Sequence, residues 1–468
     1  MPRCRAGQGF WLRRMVGSVK NLVIKIMVPG CHSAACEVCH KSETFHNLRT
    51  GQTSVYSCYF WTRERFFNKE VIPSMRSARL FCILLISLVW SLCASATFTL
   101  SSSDGEQLYF GSSVAVSGNT IVVAGGGAVY LYVMPATGWV SMTQTAKLTA
   151  SDGAYIVSVA LFGNTVVAGA NGSEEAFVYV EPSGGWANMT ETAKLTASDG
   201  GAGDYFGSSV AIDNGAKTIV VGAVQNNSIG GPQQGPGKVY VFVKPSTGWA
   251  STTETASLAA SDGVPGDDLG YSVSISGNTI AAGAPNAGSF YQGAVYVFVR
   301  SAGGWTSSSD TAKLTGTYVP YVDVIGQAVS INGNTILAGG FGLAYIYVEP
   351  AGGWTSTSTQ SATLSDSGGR TSGCILEPCF GWSVSLSSGI AVVGCPGNLP
   401  HLPAVADIYV KPAGGWTNMT ETKHVKSPVD GGDSSFAWAV GVSGDKVVVG
   451  YPNVYNQGRD VTNLFSMY

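Results

Sequence analysis

The sequence predicts an all-β protein: a seven-bladed β-propeller of four-stranded antiparallel blades, closed by an N-terminal strand that completes the last blade. Three observations lead there. A tryptophan-anchored phrase recurs along the chain, each copy reads as four short strands, and the strand missing at the C-terminal end is present ahead of the first copy.

The recurring phrase is plainest in "TGWVSMTQTAKLTASDG" at 137–153 and "GGWANMTETAKLTASDG" at 184–200. Its anchors Trp139, Trp186, Trp249, Trp305, Trp354 and Trp416 are 47, 63, 56, 49 and 62 residues apart, the elastic spacing of a fixed unit with variable loops. Each unit runs in one order: "AKLTASDG", a loop, "FGSSVAVSGNTIVVAG", a loop, "GAVYVFV", and a turn ending in the tryptophan. The runs are rich in Val, Ile, Tyr and Phe and punctuated by Gly-Asn, Gly-Gly and Pro, which is the pattern of strands and hairpins. "VYVFV" is apolar throughout and predicts a strand covered on both faces. "AKLTAS" alternates, as an outer strand with one wet face does.

Seven copies of the "FGxSV" strand begin at Phe110-Gly111, Tyr155-Ile156, Phe206-Gly207, Leu269-Gly270, Ile325-Gly326, Phe380-Gly381 and Phe436-Ala437. Only six tryptophan turns and six "AKLT"-like strands follow them. "TFTLSSSDG" at 97–105 supplies the absent strand, so the two ends are expected to zip together into a ring that leaves only short, protected edges.

The residues "FGSSVA", then "GNTIAAGAP", then "GAVYVFV" resemble the FG-GAP repeat, the blade of integrin α-subunit propellers, in wording closer to bacterial FG-GAP proteins. The resemblance covers nearly all of 97–468. It implies a seven-bladed ring in which FG opens the innermost strand, Phe wedges between blades and Gly allows close backbone approach. Integrin-like blades often carry a calcium loop between their first two strands. Here that connection is "SGNT", "FGNT", "DNGAKT", "SGNT", "NGNT", "SSGI" or "SGDK", with at most one carboxylate, so no calcium is predicted there.

Charge is unevenly placed. Residues 1–79 hold 13 Lys and Arg against 4 Asp and Glu, whereas 97–468 hold 13 against 25. An acidic, sparsely charged propeller argues against nucleic acid as a partner. "MRSARLFCILLISLVWSLCASATF" from Met75 has a basic start, an apolar core and a small-residue Ala-Ser-Ala end, which reads as a secretory leader over 75–96. Translation is therefore expected to start at Met75, with 1–74 an extension from a start codon placed too far upstream. If that extension is real, the leader becomes a membrane anchor. The protein is expected to be secreted or held at the cell surface.

The extension carries "CEVCH" at Cys36–His40, a match to haem attachment, with Cys31, His32 and His46 nearby. It precedes the export signal and lacks a complete metal-finger spacing, so coincidence is the better reading. Downstream only Cys374, Cys379 and Cys395 remain. Cys374 and Cys379 flank one loop and are expected to pair, while Cys395 stands as a small buried residue.

No metal, cofactor or catalytic residue is read in 97–468. The SDG acids Asp104, Asp152, Asp199, Asp262, Asp366 and Asp430 recur too often to be one active site, His401 and His424 have no accompanying nucleophile, and no phosphate-binding loop occurs. The tryptophans are expected to lid the apolar ends of blades and donate their N–H to a partner. Recognition is placed on the rim with the most variable loops, with Asp267, Asp268, Phe290, Tyr291, Tyr318 and Tyr321 as candidate ligand contacts. The expected function is a non-catalytic binding or adhesion module taking a protein or glycan. The alternative is a carbohydrate-directed lectin or polysaccharide-degrading enzyme working through the central funnel.

Overall fold

The computed structural model describes residues 97–104, 109–225, 235–289, 292–316, 324–368, 379–397, 404–427, 435–452 and 461–466. The extension, the leader and the CEVCH motif lie outside them. No helix occurs among the described residues, and so none is long and apolar enough to cross a membrane.

The arrangement is a β-propeller. Six sheets are each built from one continuous stretch of chain, rather than seven alike. In the first, the inner strand Val114–Ser117 pairs with Thr120–Gly125, that with Ala128–Val133, and that with the outer strand Ala146–Thr149, all antiparallel. The plan recurs from the inner strands Ser158–Phe162, Phe206–Ile212, Ser272–Ser276, Ala328–Asn332 and Ser383–Ser387. A further sheet draws on both ends of the propeller sequence. Val440–Ser443 and Lys446–Tyr451 pair with Val461–Ser466, which pairs antiparallel with Thr97–Ser101 from Thr97↔Phe465 to Leu100↔Thr462.

The hydropathy pattern explains the layers. In Lys238–Val243 the residues Val239, Tyr240, Val241 and Phe242 are each no more than 1% exposed, because neighbouring sheets pack on both faces. In Ala146–Thr149 the alternate residues Ala146 and Leu148 are buried, and Lys147 and Thr149 look outward. Phe206 is buried between sheets and meets the Tyr240 ring edge-on at 5.4 Å.

Glycine pairs set how closely the blades approach. A methyl group on Gly169 would lie 2.1 Å from the carbonyl oxygen of Gly207 in the next blade. The same crowding joins Gly222 to Gly270 (2.0 Å), Gly283 to Gly326 (1.9 Å), Gly339 to Gly381 (2.1 Å), Gly394 to Ala437 (2.4 Å) and Gly450 to Gly111 (2.0 Å). The second FG copy departs from the sequence alignment by one residue. Ile156, not Tyr155, fills the buried wedge position, and Val157 N–H makes to Gly169 the bond that Gly270 N–H makes to Gly283. No glycine carbonyl intrudes there, and the facing position in the preceding blade is Ala124.

The repeated phrase latches one blade to the next. Met189–Thr190 adds a two-residue parallel strand to the edge of Ala146–Thr149, at Met189↔Leu148 and Thr190↔Thr149. Asn188, two residues after Trp186, accepts a hydrogen bond from Lys147 N at 2.8 Å, and Glu191 accepts one from Ser151 N at 2.9 Å. Ser141, Ser251, Ser307, Ser356 and Asn418, each two residues after its tryptophan, do the same for Thr99, Lys194, Ser257, Lys313 and Thr363. Bare sheet edges are thereby covered. Trp186, Trp249, Trp305, Trp354 and Trp416 are buried as expected. Their N–H groups correct the expectation in part: Nε1 of Trp139, Trp249, Trp305 and Trp354 finds no protein acceptor among the described residues.

Cys379 is bonded to Cys395, with Cα atoms 4.6 Å apart, and not to Cys374, which lies outside the described residues. The reason is register. Cys379 immediately precedes the Phe380-Gly381 wedge, whose Gly381 N–H bonds the Gly394 carbonyl, so the chain is brought beside Cys395.

Candidate functional site: the axial funnel and a buried acidic cluster

The inner strands surround an axial funnel of about 560 Å³. The position after each FG wedge reaches its mouth. On one side this places Ser112 and Ser208, on the other Tyr271, Gln327, Trp382 and Trp438. The aromatic side is ordered by its own contacts. The Trp382 and Trp438 rings lie 4.8 Å apart, Phe341 stacks on Trp382 at 6.4 Å with an interplanar angle of 14°, and Gln327 Nε2 donates to Tyr271 Oη at 3.0 Å. Tyr271 is 41% exposed. Deeper in, a throat of about 250 Å³ is walled by residues such as Val116, Leu161, Ile212 and Val442, and the surface it exposes is mostly polar. Asn171 and Val224, from connections between second and third strands, also line the funnel, so it opens on the rim that carries the variable loops.

Such a mouth can stack on a flat apolar face while hydroxyl and amide groups bond its edges. Among the described residues that line it there is no carboxylate.

The candidates drawn from the sequence are elsewhere. Asp267 and Asp268 are each 4% exposed: Asp267 accepts from Val264 N of its own loop at 2.9 Å, and Asp268 from Asn286 Nδ2 at 2.6 Å, in the connection that follows Thr279–Ala284. Burial lifts the Asp267 carboxyl above its ordinary value. Their work is to hold the turn ahead of the Leu269-Gly270 wedge, which corrects their reading as open ligand contacts. Phe290, Tyr291, Tyr318 and Tyr321 lie outside the described residues.

The SDG acids are structural. Asp104 takes a hydrogen bond from Tyr130 Oη at 3.1 Å and from Lys147 Nζ at 2.6 Å, and Lys147 lies over the Tyr130 ring. Asp152 with Lys194, and Asp262 with Tyr296 and Lys313, repeat the arrangement. The lysine hydrogen bonds hold Asp104 below the usual carboxylate range and Asp152 down to about 2.

One blade breaks this pattern. In the strand Val405–Val410, Asp407 stands where Tyr130, Phe177 and Tyr296 stand in other blades, and it faces His424 where those face Lys147, Lys194 and Lys313. Asp366, read from sequence as an SDG acid, sits two residues earlier, at the position of Ala150. Ser367 N bonds Glu421 as Ser151 N bonds Glu191, and Gly368 takes the place of the aspartate. Asp366, Asp407, Glu421 and His424 bring four ligand-type atoms within 4.8 Å of one another. His424 Nδ1 lies 2.6 Å from Asp407 Oδ1 and 3.9 Å from Asp366 Oδ1, and Nε2 lies 2.9 Å from Glu421 Oε1. The side chains of Asp366 and Asp407 are wholly buried, and Asp407 Oδ2 has no hydrogen-bond partner among the described residues. Burial pushes the Asp407 carboxyl up to about 7. The sequence carried a signal for this cluster that was not used: an acid inside a strand otherwise apolar, and a histidine in the lysine column.

Residues 189–242 and 252–298 match the FG-GAP repeat family. No curated protein matches the chain. Over those two stretches the chain is similar to FG-GAP repeats, and its described strands are arranged as a β-propeller.

Proposed function

We propose that this FG-GAP propeller is an exported, non-catalytic binding module, which recognises a protein or glycan at the mouth of the funnel and the loop rim around it. The observation that carries the reading is the aromatic arc of Tyr271, Trp382 and Trp438, set in the turns just ahead of the inner strands and facing the funnel. Aromatic side chains give large contact area at small entropic cost. Export is supported by the leader-like stretch at 75–96 and by the Cys379–Cys395 bond, which suits an oxidising compartment.

The reading takes the propeller as a closed ring of seven blades. Its support is the pairing of Thr97–Ser101 with Val461–Ser466, the close fit of Gly450 against Gly111, and the hydrogen bond from Gly118 N to Ser443 Oγ at 3.4 Å.

Between the two ligand classes, the open rings beside Gln327 and Ser208 favour a sugar face, which makes the lectin reading the specific alternative to a protein ligand. Screening the exported protein on glycan and surface-protein arrays separates them. Trp382→Ala and Trp438→Ala are expected to weaken binding at least tenfold while leaving the fold intact, since each anchor residue of this kind is worth about 2 kcal/mol or more. Unchanged binding by both variants would remove the funnel from recognition.

A further inference from the structure

We propose that Asp366, Asp407 and His424 bind a first-row divalent cation such as Zn²⁺ or Mn²⁺, with Glu421 as the outer partner that orients the imidazole. The site is apart from the funnel and from the turns between first and second strands. Asp366 ends the outer strand Ala362–Ser365, whereas Asp407 and His424 face one another in the next sheet. An ion there would clip two blades together.

The comparison between blades is the main argument. In three other blades a lysine at this position neutralises the carboxylate beside it: Lys147 for Asp104, Lys194 for Asp152 and Lys313 for Asp262. Here the lysine is replaced by histidine and its aspartate by Gly368, while Asp407 replaces the aromatic and Asp366 an alanine, so an exposed cation–carboxylate pair gives way to two buried acids beside an imidazole. Uncompensated buried charge is costly, and buried charges are paired or coordinate metals. The second argument is Asp407 itself: wholly buried, with Oδ2 unpartnered.

The geometry suits a metal. His424 Nδ1 is aimed at Asp407 and Asp366, while Nε2 meets Glu421 on the opposite side of the ring. Metal-binding imidazoles usually give their other N–H to a carboxylate, which fixes the tautomer that coordinates. Tetrahedral ligands about 2.0–2.1 Å from zinc are themselves about 3.3 Å apart, which side-chain rotations from the present 2.6 and 3.9 Å can reach. One nitrogen with two carboxylates favours a first-row ion over Ca²⁺, which takes six or more oxygens. His424, part-exposed beside the part-exposed Glu421, offers the way in.

The test uses the full chain, stripped with a chelator, and titrates Zn²⁺ by calorimetry alongside thermal melts. Wild type should bind one more equivalent of Zn²⁺ than either Asp407→Asn or His424→Lys, and melt on the order of 3 °C higher at a hundredfold excess over Kd. Taking the difference between proteins excludes zinc held by the cysteines and histidines at 1–96. His424→Lys restores the cation other blades use and so guards against a variant that simply fails to fold. Equal zinc uptake by wild type and both variants, no uptake by wild type, or displacement of the extra equivalent by equimolar Ca²⁺ would each overturn the assignment.

Discussion

The carbonyl oxygen of Gly270 lies 2.0 Å from where a methyl group on Gly222 would sit. The obstacle is backbone rather than a flexible side-chain tip, so it cannot step aside cheaply. Gly222→Ala is expected to lower stability by about 3 kcal/mol, at the upper end for overpacking. Ala124→Gly, where no glycine carbonyl intrudes, should cost only about 0.5–1 kcal/mol of strand entropy. Denaturant melts of the two variants check the contrast.

Ala437 occupies the glycine position of the last wedge with φ +66°, in the left-handed region. The strain of that conformation in an L-residue is of order 1 kcal/mol. Ala437→Gly is therefore expected to stabilise the protein, by about 0.5 kcal/mol once the entropy of the freer unfolded chain is offset. A lower melting temperature for the variant would contradict this.

Acid should loosen the blade junctions. Asp104, Asp152 and Asp199 are held below their ordinary values, chiefly by hydrogen bonds from Lys147, Lys194 and Lys238. A depressed folded value gives stability that is present above the unfolded value, about 4, and is lost as pH falls toward about 2. Lys194→Met should flatten the dependence of melting temperature on pH between about 4 and 2. A variant with the slope of wild type would count against these pairs.

Peptide mapping without reductant should recover Cys379 linked to Cys395 and leave Cys374 free of both. The bond closes a separation of 16 residues, and its reduction is expected to cost about 3 kcal/mol on the loop-entropy estimate. Cys374→Ser should leave stability unchanged.

Removing residues 97–101 strips the partner from Val461–Ser466 and leaves an open edge on that sheet. Loss of cooperative unfolding and concentration-dependent association are the expected outcomes. A truncated protein that melts like wild type and stays monodisperse would mean that the ends do not support one another.

Much of this architecture was legible in the sequence because strand grammar repeats: apolar runs such as Val239–Phe242 can be buried only between sheets. The funnel's aromatic arc was present in one alignment column, the position after FG, but each copy fills that column differently. Asp366 was misplaced because one serine-aspartate pair looks like another until the Ser367–Glu421 bond fixes the register. The pairing of Cys379 was hidden because nearness in sequence to Cys374 competes with nearness across a hairpin to Cys395. Ile156 was missed because one residue is deleted from its turn, and only burial shows which neighbour takes the wedge.

Five of the six tryptophan turns lend a two-residue strand to the blade before them, and the Trp354 turn lends a single bridge at Leu314↔Thr357, so these joints share one plan. A unit copied or lost by recombination would meet its new neighbours through a Ser or Asn, a short Met-Thr, Thr-Thr or Ser-Ser step and a Glu, Asp or Gln. Interchangeable couplings of this kind let the number of blades and the loops drift over generations without inventing a fresh interface, and they account for why the linking phrase is spelled so uniformly while the rim around it is free to vary.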